Sequence, residues 1–481
     1  MHPHRQLFIV AVLTLGVMAR AATYRSPLFD FHAWRQADTA AIARNFVEER
    51  FNPLYPQVDF RGGRAEGYVE TGLELYAFVV ATLARVVGFS PVIGRLVNVV
   101  LFPLTALLLY RFVRLRYGDA EGLVALFIYS LGLPLTMFMD RAFMNEALLA
   151  LLSVLCLWSA QKYCERPGSR HLVTLLFGCA TIAVVKPTYL IVAAPVAALF
   201  VERFGRAGWL RPELWLVGAV TVICGALWFW HAHRLHEMTG LSFGLDNKFM
   251  SGESLTWADY PRILGRRLLK DILGPVGVLF APIGLVVAVR LKKRAELWGV
   301  LAFALYLLVV AAGNFHHNYY QLPIVPIGTV LTSVGIMAAV RRVSSRYAWT
   351  PEKRLAACAA ILWVAAASTF ARNVSAHNWY EIDHAKRRLC EDLQPRLLPT
   401  DRVVFVNESN PDVLFCLGRK GWLLGTSELT VEDLRKLSEE GGSVVVTRRP
   451  DPLSAGLDQA AQPLLETPDF VVHRWPSAAV R

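Results

Sequence analysis

The stretch Ile93-Gly-Arg-Leu-Val-Asn-Val-Val-Leu-Phe-Pro-Leu-Thr-Ala-Leu-Leu-Leu-Tyr-Arg-Phe-Val-Arg-Leu-Arg116 decides the fold. A helix needs about 20 mostly apolar residues to cross the hydrocarbon core of a bilayer. Residues 93–111 provide such a run, and it closes on Arg111, Arg114 and Arg116. Basic residues just beyond a span mark the cytoplasmic side.

The pattern repeats along the chain. Further apolar runs lie at 6–23, 73–88, 120–139, 141–161, 171–186, 187–202, 212–231, 272–289, 297–312, 319–340 and 354–371. Short basic loops separate several of them. They hold Lys162, Arg166 and Arg170; Arg203, Arg206 and Arg211; Arg290, Lys292, Lys293 and Arg294; and Arg341, Arg342, Arg346, Lys353 and Arg354. Together with Arg111–Arg116 they contain only three acids, Glu165, Glu202 and Glu352. These loops are read as cytoplasmic.

The longer segments are balanced. Residues 24–72 carry six basic and seven acidic groups, and residues 232–271 carry six and five, so both are assigned outside. One crossing then fits between 24–72 and Arg111, yet two apolar runs are present. The shorter, 73–88, carries Glu74 and Arg85 and is expected to lie along or dip into the interface. That leaves eleven spans. The alternative is that 73–88 crosses and one loop is assigned to the wrong side.

Composition agrees. Of 481 residues, 54% are hydrophobic and 18% charged, and the mean hydropathy is +0.39. Soluble domains average about 25% charged. A soluble enzyme, a disordered chain and a disulfide-rich secreted module are excluded. The net charge of +12 is explained by the cytoplasmic loops, and nucleic acid is not expected as a partner.

After residue 375 the pattern changes. Arg402–Val406 and Ser443–Thr447 read as strands, and 430–440 as a helix with Thr430 as its N-cap. Residues 376–481 are expected to form a small α/β domain on the outer face, with 1–375 as the transmembrane domain. There Cys390 and Cys416 could form a disulfide or be two unrelated thiols.

Ionisable groups near membrane depth are functional candidates, and they cluster on the outer side. Asp30 and His32 follow the first run. From Arg35 the spacing is helical and puts Trp34, Arg35 and Asp38 on one face, as an interfacial helix with a local Arg35–Asp38 pair or as part of a site. Glu70 precedes an apolar run. Asp140 and Arg141 stand at a helix boundary, Glu146 enters an apolar helix, and Lys186 precedes Pro187 as a snorkelling or binding lysine. His317, Tyr319 and Tyr320 form a hydrogen-bonding, anion-compatible surface. His316 and His317 are adjacent and cannot share a helix face, so no metal site is expected.

One chemistry uses all of these groups. A lipid-linked phosphosugar needs cationic and phenolic donors as its phosphate departs. An acceptor hydroxyl needs a carboxylate base. Asp30, Asp38 and Glu70 are the candidate bases. His32, Arg35, Arg141, Glu146, Lys186, His317, Tyr319 and Tyr320 are the candidate donor-binding residues. Asp30 is favoured narrowly because it lies nearest the end of the first span; Asp38 has the firmer helical support.

At these residues the chain resembles the GT-C superfamily of polyprenyl-phosphate-sugar-dependent glycosyltransferases. It is most similar to the bacterial family 39 branch, related to protein O-mannosyltransferases and the lipid A aminoarabinose transferase. The motifs are His32-x-Trp-Arg-Gln-x-Asp-Thr-Ala40, Ala43-Arg-Asn-Phe46, Tyr68-Val-Glu-Thr71 before Leu75-Tyr76, Arg141 with Glu146, Lys186-Pro187, His317-x-Tyr-Tyr-Gln-Leu-Pro323 and Gly418-Arg-Lys-Gly-Trp422. The resemblance covers about residues 5–425.

It implies an all-α polytopic GT-C fold of about 11–13 transmembrane helices, with juxtamembrane helices in the first periplasmic loop. It implies a bacterial inner-membrane enzyme that transfers one sugar, with inversion, from a polyprenyl phosphate to a glycolipid, polysaccharide or protein hydroxyl. The partners are the bilayer, the donor lipid and the acceptor, and no cofactor or catalytic metal is implied. Many relatives carry Asp-Glu where this chain has Arg35-Gln36, and Glu-x-Pro where it has Gly72-Leu-Glu74. A transporter or lipid-linked-sugar flippase is the alternative. It would show inverted repeats, and none is evident in the sequence.

Overall fold

The computed structural model describes residues 3–244, 248–250, 258–425, 430–450, 457 and 461–475. In chain order the helices begin with α1 (Pro3–Ala21), α2 (Ala33–Glu48), α3 (Leu75–Val87), α4 (Pro91–Tyr117), α5 (Asp119–Leu131), α6 (Pro134–Met139) and α7 (Glu146–Glu165). Then come α8 (Ser169–Val185), α9 (Ala193–Phe204), α10 (Pro212–Thr239), α11 (Tyr260–Arg267), α12 (Gly274–Arg290), α13 (Arg294–Val309) and α14 (Ala311–His316). The last are α15 (Val325–Arg346), α16 (Pro351–Ser375), α17 (His377–Tyr380), α18 (His384–Leu393), α19 (Asp412–Leu417) and α20 (Val431–Glu439). The strands are β1 (Val403–Val406), β2 (Gly421–Leu424), β3 (Val444–Arg448), β4 (Gln462–Glu466) and β5 (Phe470–Arg474). The chain divides into two compact units. One comprises Met1–Tyr24, Arg95–His231 and Gly244–His377; the other comprises Arg25–Gly94, Ala232–Phe243 and Asn378–Arg481.

The first unit is helical. Among the described residues of the whole chain, seven helices are long and apolar enough to span, or eight with the bent pair Tyr260–Ile272 and Gly274–Arg290. This is fewer than the apolar runs in the sequence, because several runs are broken or short. The run 120–139 splits into α5 and α6 at Gly132-Leu133-Pro134, where proline cannot continue the backbone ladder. The run 272–289 meets α11 at a bend of 104°. Lys186-Pro187 ends α8, and a 3₁₀ turn over Pro187–Val192 leads into α9. In the second unit, the 13 residues of α3 are about 20 Å long, short of the roughly 30 Å hydrocarbon core.

Close packing and buried ion pairs hold the helical unit. α12 and α15 meet at glycines. A Cβ on Gly284 would stand 1.9 Å from the Leu331 carbonyl oxygen, and one on Gly335 would stand 1.9 Å from that of Phe280. Small residues are what let membrane helices approach so closely. Arg116 belongs to a loop read as cytoplasmic, yet its side chain is buried. It bonds Glu296 of α13 at 2.6 Å and Glu202 of α9 at 3.1 Å, tying three helix ends together. Arg20 of α1 pairs with Asp140 at 2.9 Å and lies 3.7 Å over the Phe102 ring. Such buried charges persist only when paired.

The second unit is built on a five-stranded sheet of order β2-β1-β3-β5-β4. β1 runs parallel to β2 and β3; β5 is antiparallel to β3 and β4. Alternate residues of β1 point to opposite faces. Val403 and Phe405 pack with Leu389, Leu393, Leu414, Phe470 and Phe29, while Val404 and Val406 pack with Leu434, Leu457 and Trp475. The strands read from the sequence correspond to β1 and β3. The 430–440 helix is α20, whose Thr430 and Asp433 form a reciprocal capping box. Cys390 and Cys416 are disulfide-bonded, with Cα atoms 6.2 Å apart. One helical turn away, Lys386 of α18 pairs with Asp412 of α19 at 3.2 Å, so two links join these helices.

Candidate functional site

The acidic candidates lie in the sheet-bearing unit. α2 is enclosed on every side from Gln36 to Phe46. It starts after His32, which is held at φ 59°, a left-handed conformation uncommon outside glycine. The His32 ring lies tilted against Phe31 with centroids 3.8 Å apart, and Phe31 stacks on Trp379 at 5.8 Å. Asp30 is buried and accepts a 2.6 Å hydrogen bond from the Gln36 amide.

Asp38 is different. It is fully buried, and neither carboxylate oxygen accepts a hydrogen bond from the described residues. A buried charge without such partners is costly. Burial pushes its carboxyl well above the ordinary carboxylate range; Arg35 opposes this, and Asp59 and Glu74 add to the rise. Besides acting on Asp38 through its charge, Arg35 makes a longer-range pair. Arg35 bonds Glu74 at 2.8 Å and lies 4.7 Å over the Phe243 ring. Thr71 also donates to Glu74, at 3.2 Å. Glu74 precedes the first turn of α3, so packing of α3 on α2 brings it to Arg35 although 39 residues separate them in sequence.

Glu70 stands elsewhere in this unit. Its backbone pairs with Leu241 and Phe243, and its carboxylate lies 3.5 Å from His233 Nδ1. The structure thus groups Asp38 with Arg35, Glu74 and Asp59, and sets Glu70 against a histidine of α10. Neither Glu74 nor His233 is among the candidate site residues read from the sequence. Glu74 had a signal, a carboxylate at the edge of an apolar run; His233 had none beyond its place at the end of a span.

The helical unit holds the other candidates. Lys186 caps the C-terminus of α8, and its ammonium bonds Glu146, the first residue of α7, at 2.7 Å. The same nitrogen lies 4.7 Å from the ring centres of Tyr319 and Tyr320 and 5.8 Å from that of Tyr189. All three tyrosines are buried. His317 stacks on Tyr319 at 5.2 Å and on Tyr320 at 6.0 Å. Tyr306 donates to the Tyr320 carbonyl at 2.8 Å, fixing that turn. Lys186 is therefore caged rather than snorkelling. The cage gains Tyr189, three residues beyond Lys186, which the sequence reading did not single out. Arg141 is buried in the turn before α7, 4.3 Å over the Phe138 ring. A cation among phenol rings next to an unshared carboxylate oxygen can hold a phosphate ester or a sugar hydroxyl.

Comparisons with known proteins agree with this architecture. Residues 75–230 match the family described as dolichyl-phosphate-mannose-protein mannosyltransferase. Among solved structures, ArnT from Cupriavidus metallidurans bound to undecaprenyl phosphate is similar over 99% of this chain and 99% of that one, with a TM-score of 0.65 at 12% identity. The Archaeoglobus fulgidus oligosaccharyltransferase in complex with Zn and sulfate is similar over 97% of this chain and 73% of that one, with a TM-score of 0.61 at 12% identity. The same organism's AglB, in complex with an inhibitory peptide and a dolichol-phosphate, covers 93% of this chain and 69% of its own, with a TM-score of 0.61 at 10% identity. Comparison with curated proteins gave no match. The chain is a multi-span membrane protein with the GT-C fold, and about a third of it, residues 75–230, matches the mannosyltransferase family model.

Proposed function

We propose that the chain transfers a single sugar from a polyprenyl-phosphate donor to an acceptor hydroxyl on the periplasmic face of a bacterial inner membrane, with inversion and with Asp38 as general base. The observation that carries this reading is the Asp38 carboxylate, buried on an enclosed helix with no hydrogen bond to either oxygen among the described residues. A base works best when its pKa lies near the working pH, and burial moves Asp38 in that direction. Asp30 is less suited, because Gln36 already occupies one of its oxygens.

In this reading the acceptor oxygen attacks the anomeric carbon as its proton passes to Asp38. The bond from that carbon to the phosphate oxygen breaks, and the polyprenyl phosphate leaves as the anion. In the helical unit, taken by itself, Lys186, with Tyr189, Tyr319 and Tyr320, offers a cation and phenol rings to a polyprenyl phosphate. Glu146 holds Lys186 in place through their 2.7 Å ion pair. ArnT was solved with undecaprenyl phosphate and AglB with a dolichol-phosphate, which supports a polyprenyl-phosphate donor here. The Cys390–Cys416 disulfide supports an outside position for the C-terminal sheet, since cytosolic thiols stay reduced.

The test is transfer by the purified chain in nanodiscs, with radiolabelled polyprenyl-phosphate sugars and a membrane extract as acceptor. Wild type should transfer from one donor. Asp38→Asn should lose at least roughly 100-fold in rate while still binding that donor. Lys186→Met should lose donor binding itself. Specific binding of a donor with no transfer from any would favour the flippase alternative.

A further inference from the structure

The motif Gly418-Arg-Lys-Gly-Trp422 has no place in the reaction above, yet it reaches the helix that carries the base. Lys420 lies just before β2. Its ammonium pairs with Asp59 at 2.6 Å and Glu49 at 3.1 Å, and also donates to the Asn45 side-chain oxygen. Asp59 is wholly buried and also accepts from Arg44 at 2.6 Å and Asn45 at 3.2 Å. The backbone repeats the link: Gly421 donates to the Asp59 carbonyl at 3.1 Å, and Gly62 donates to that of Gly421 at 2.8 Å. Arg44 continues to the Phe415 carbonyl of α19 at 2.9 Å.

Asn45 is seven residues from Asp38. That is two helical turns, so the two share one face of α2 and stand about 10.5 Å apart along its axis. We infer that Lys420 is a positioning residue for the proposed transfer, locking α2 through Asn45 and Asp59 so that the C-terminal sheet sets the position and charge surroundings of Asp38. The inference rests on the transfer reading.

Three charged groups act on Asp38 directly among the described residues: Arg35 lies on α2, Glu74 heads α3, and Asp59 comes from the following loop. Asp59 is itself paired with Arg44 of α2 and with Lys420. α19 also packs on α2 and brings Asp412, already engaged by Lys386. Removing Lys420 leaves the Asp59 charge less balanced. That makes Asp38 harder to ionise, so the acid limb of the rate profile should move to higher pH.

The experiment measures transfer by wild type, Lys420→Met and Lys420→Arg from about pH 5 to about pH 9. Lys420→Met should lower kcat roughly tenfold, leave the donor KM unchanged and shift the acid limb upward, and Lys420→Arg should restore most of both. Wild-type rate and limb in Lys420→Met would overturn the inference alone. So would a lost rate with an unmoved limb and no rescue by arginine, which marks a purely structural tie. Should Lys420→Met not accumulate, Asp59→Asn/Lys420→Met removes both charges. It should transfer slowly with the limb near wild type, and a wild-type rate in it overturns the lock. Failure of wild type to transfer from any donor at any pH removes the transfer reading, and this inference with it.

Discussion

Asp38 and Asp59 are two buried aspartates of one unit, and their surroundings drive them apart. Burial dominates Asp38, whose carboxyl is raised, with Arg35 opposing. At Asp59 burial is outweighed by Arg44, Lys420 and Asn45, which hold the carboxyl at about 2. A group raised in the folded state contributes stability that is present below its unfolded pKa and lost as pH rises through the folded value. A group that is depressed contributes stability present above its unfolded pKa and lost as pH falls through the folded value. At neutral pH, Asp38 therefore costs stability and Asp59 supplies it. Asp38→Asn should raise the thermal midpoint in detergent, by more at pH 9 than at pH 5, while abolishing transfer. A midpoint below wild type at both pH values would contradict the burial argument. Asp59→Asn should be destabilised by ~2 kcal/mol at neutral pH, which is the free energy of its displacement from 3.8 to about 2. An unchanged midpoint would show that its ion pairs contribute nothing net.

At the scale of elements, the contact of α12 with α15 is set by what is missing. Gly284 and Gly335 bring each helix against the other's carbonyls, so even a methyl group would collide with backbone that cannot rotate away. Gly284→Ala should therefore force the helices apart and cost about 1–3 kcal/mol, more than alanine gains as the better helix former. Thermal unfolding in detergent checks this, and a variant as stable as wild type would mean the two helices separate freely. In the other unit, α2 is positioned chiefly by long-range ties. Arg35 reaches Glu74, and Asn45 reaches Asp59 and Lys420. Its sequence marks it as a helix, but nothing local says that it is enclosed from Gln36 to Phe46.

For the whole molecule, the balance of charge makes a claim about sides. Single cysteines at exposed Ala65 and Ala207 test it with a membrane-impermeant maleimide. Ala65→Cys should label in intact spheroplasts, and Ala207→Cys only after permeabilisation. The reverse pattern would invert the topology, and would also place the Cys390–Cys416 pair where thiols stay reduced.

Apolar runs, basic loops and the β-branched stretches were enough to read a polytopic helical protein with a small terminal sheet. They act through short-range physics, because a helix in lipid satisfies its own backbone and must be apolar along its length. The sequence also showed which residues were chemically unusual, Asp38, Glu146 and Lys186 among them. It did not show their partners. Arg35 bonds Glu74, Lys186 sits among three tyrosines from two separate turns, and the tail's Lys420 reaches Asn45 and Asp59. Those choices depend on how helices far apart in sequence pack. Only that packing decides which buried charges are paired and which, like the carboxylate of Asp38, are left without a hydrogen bond from the described residues.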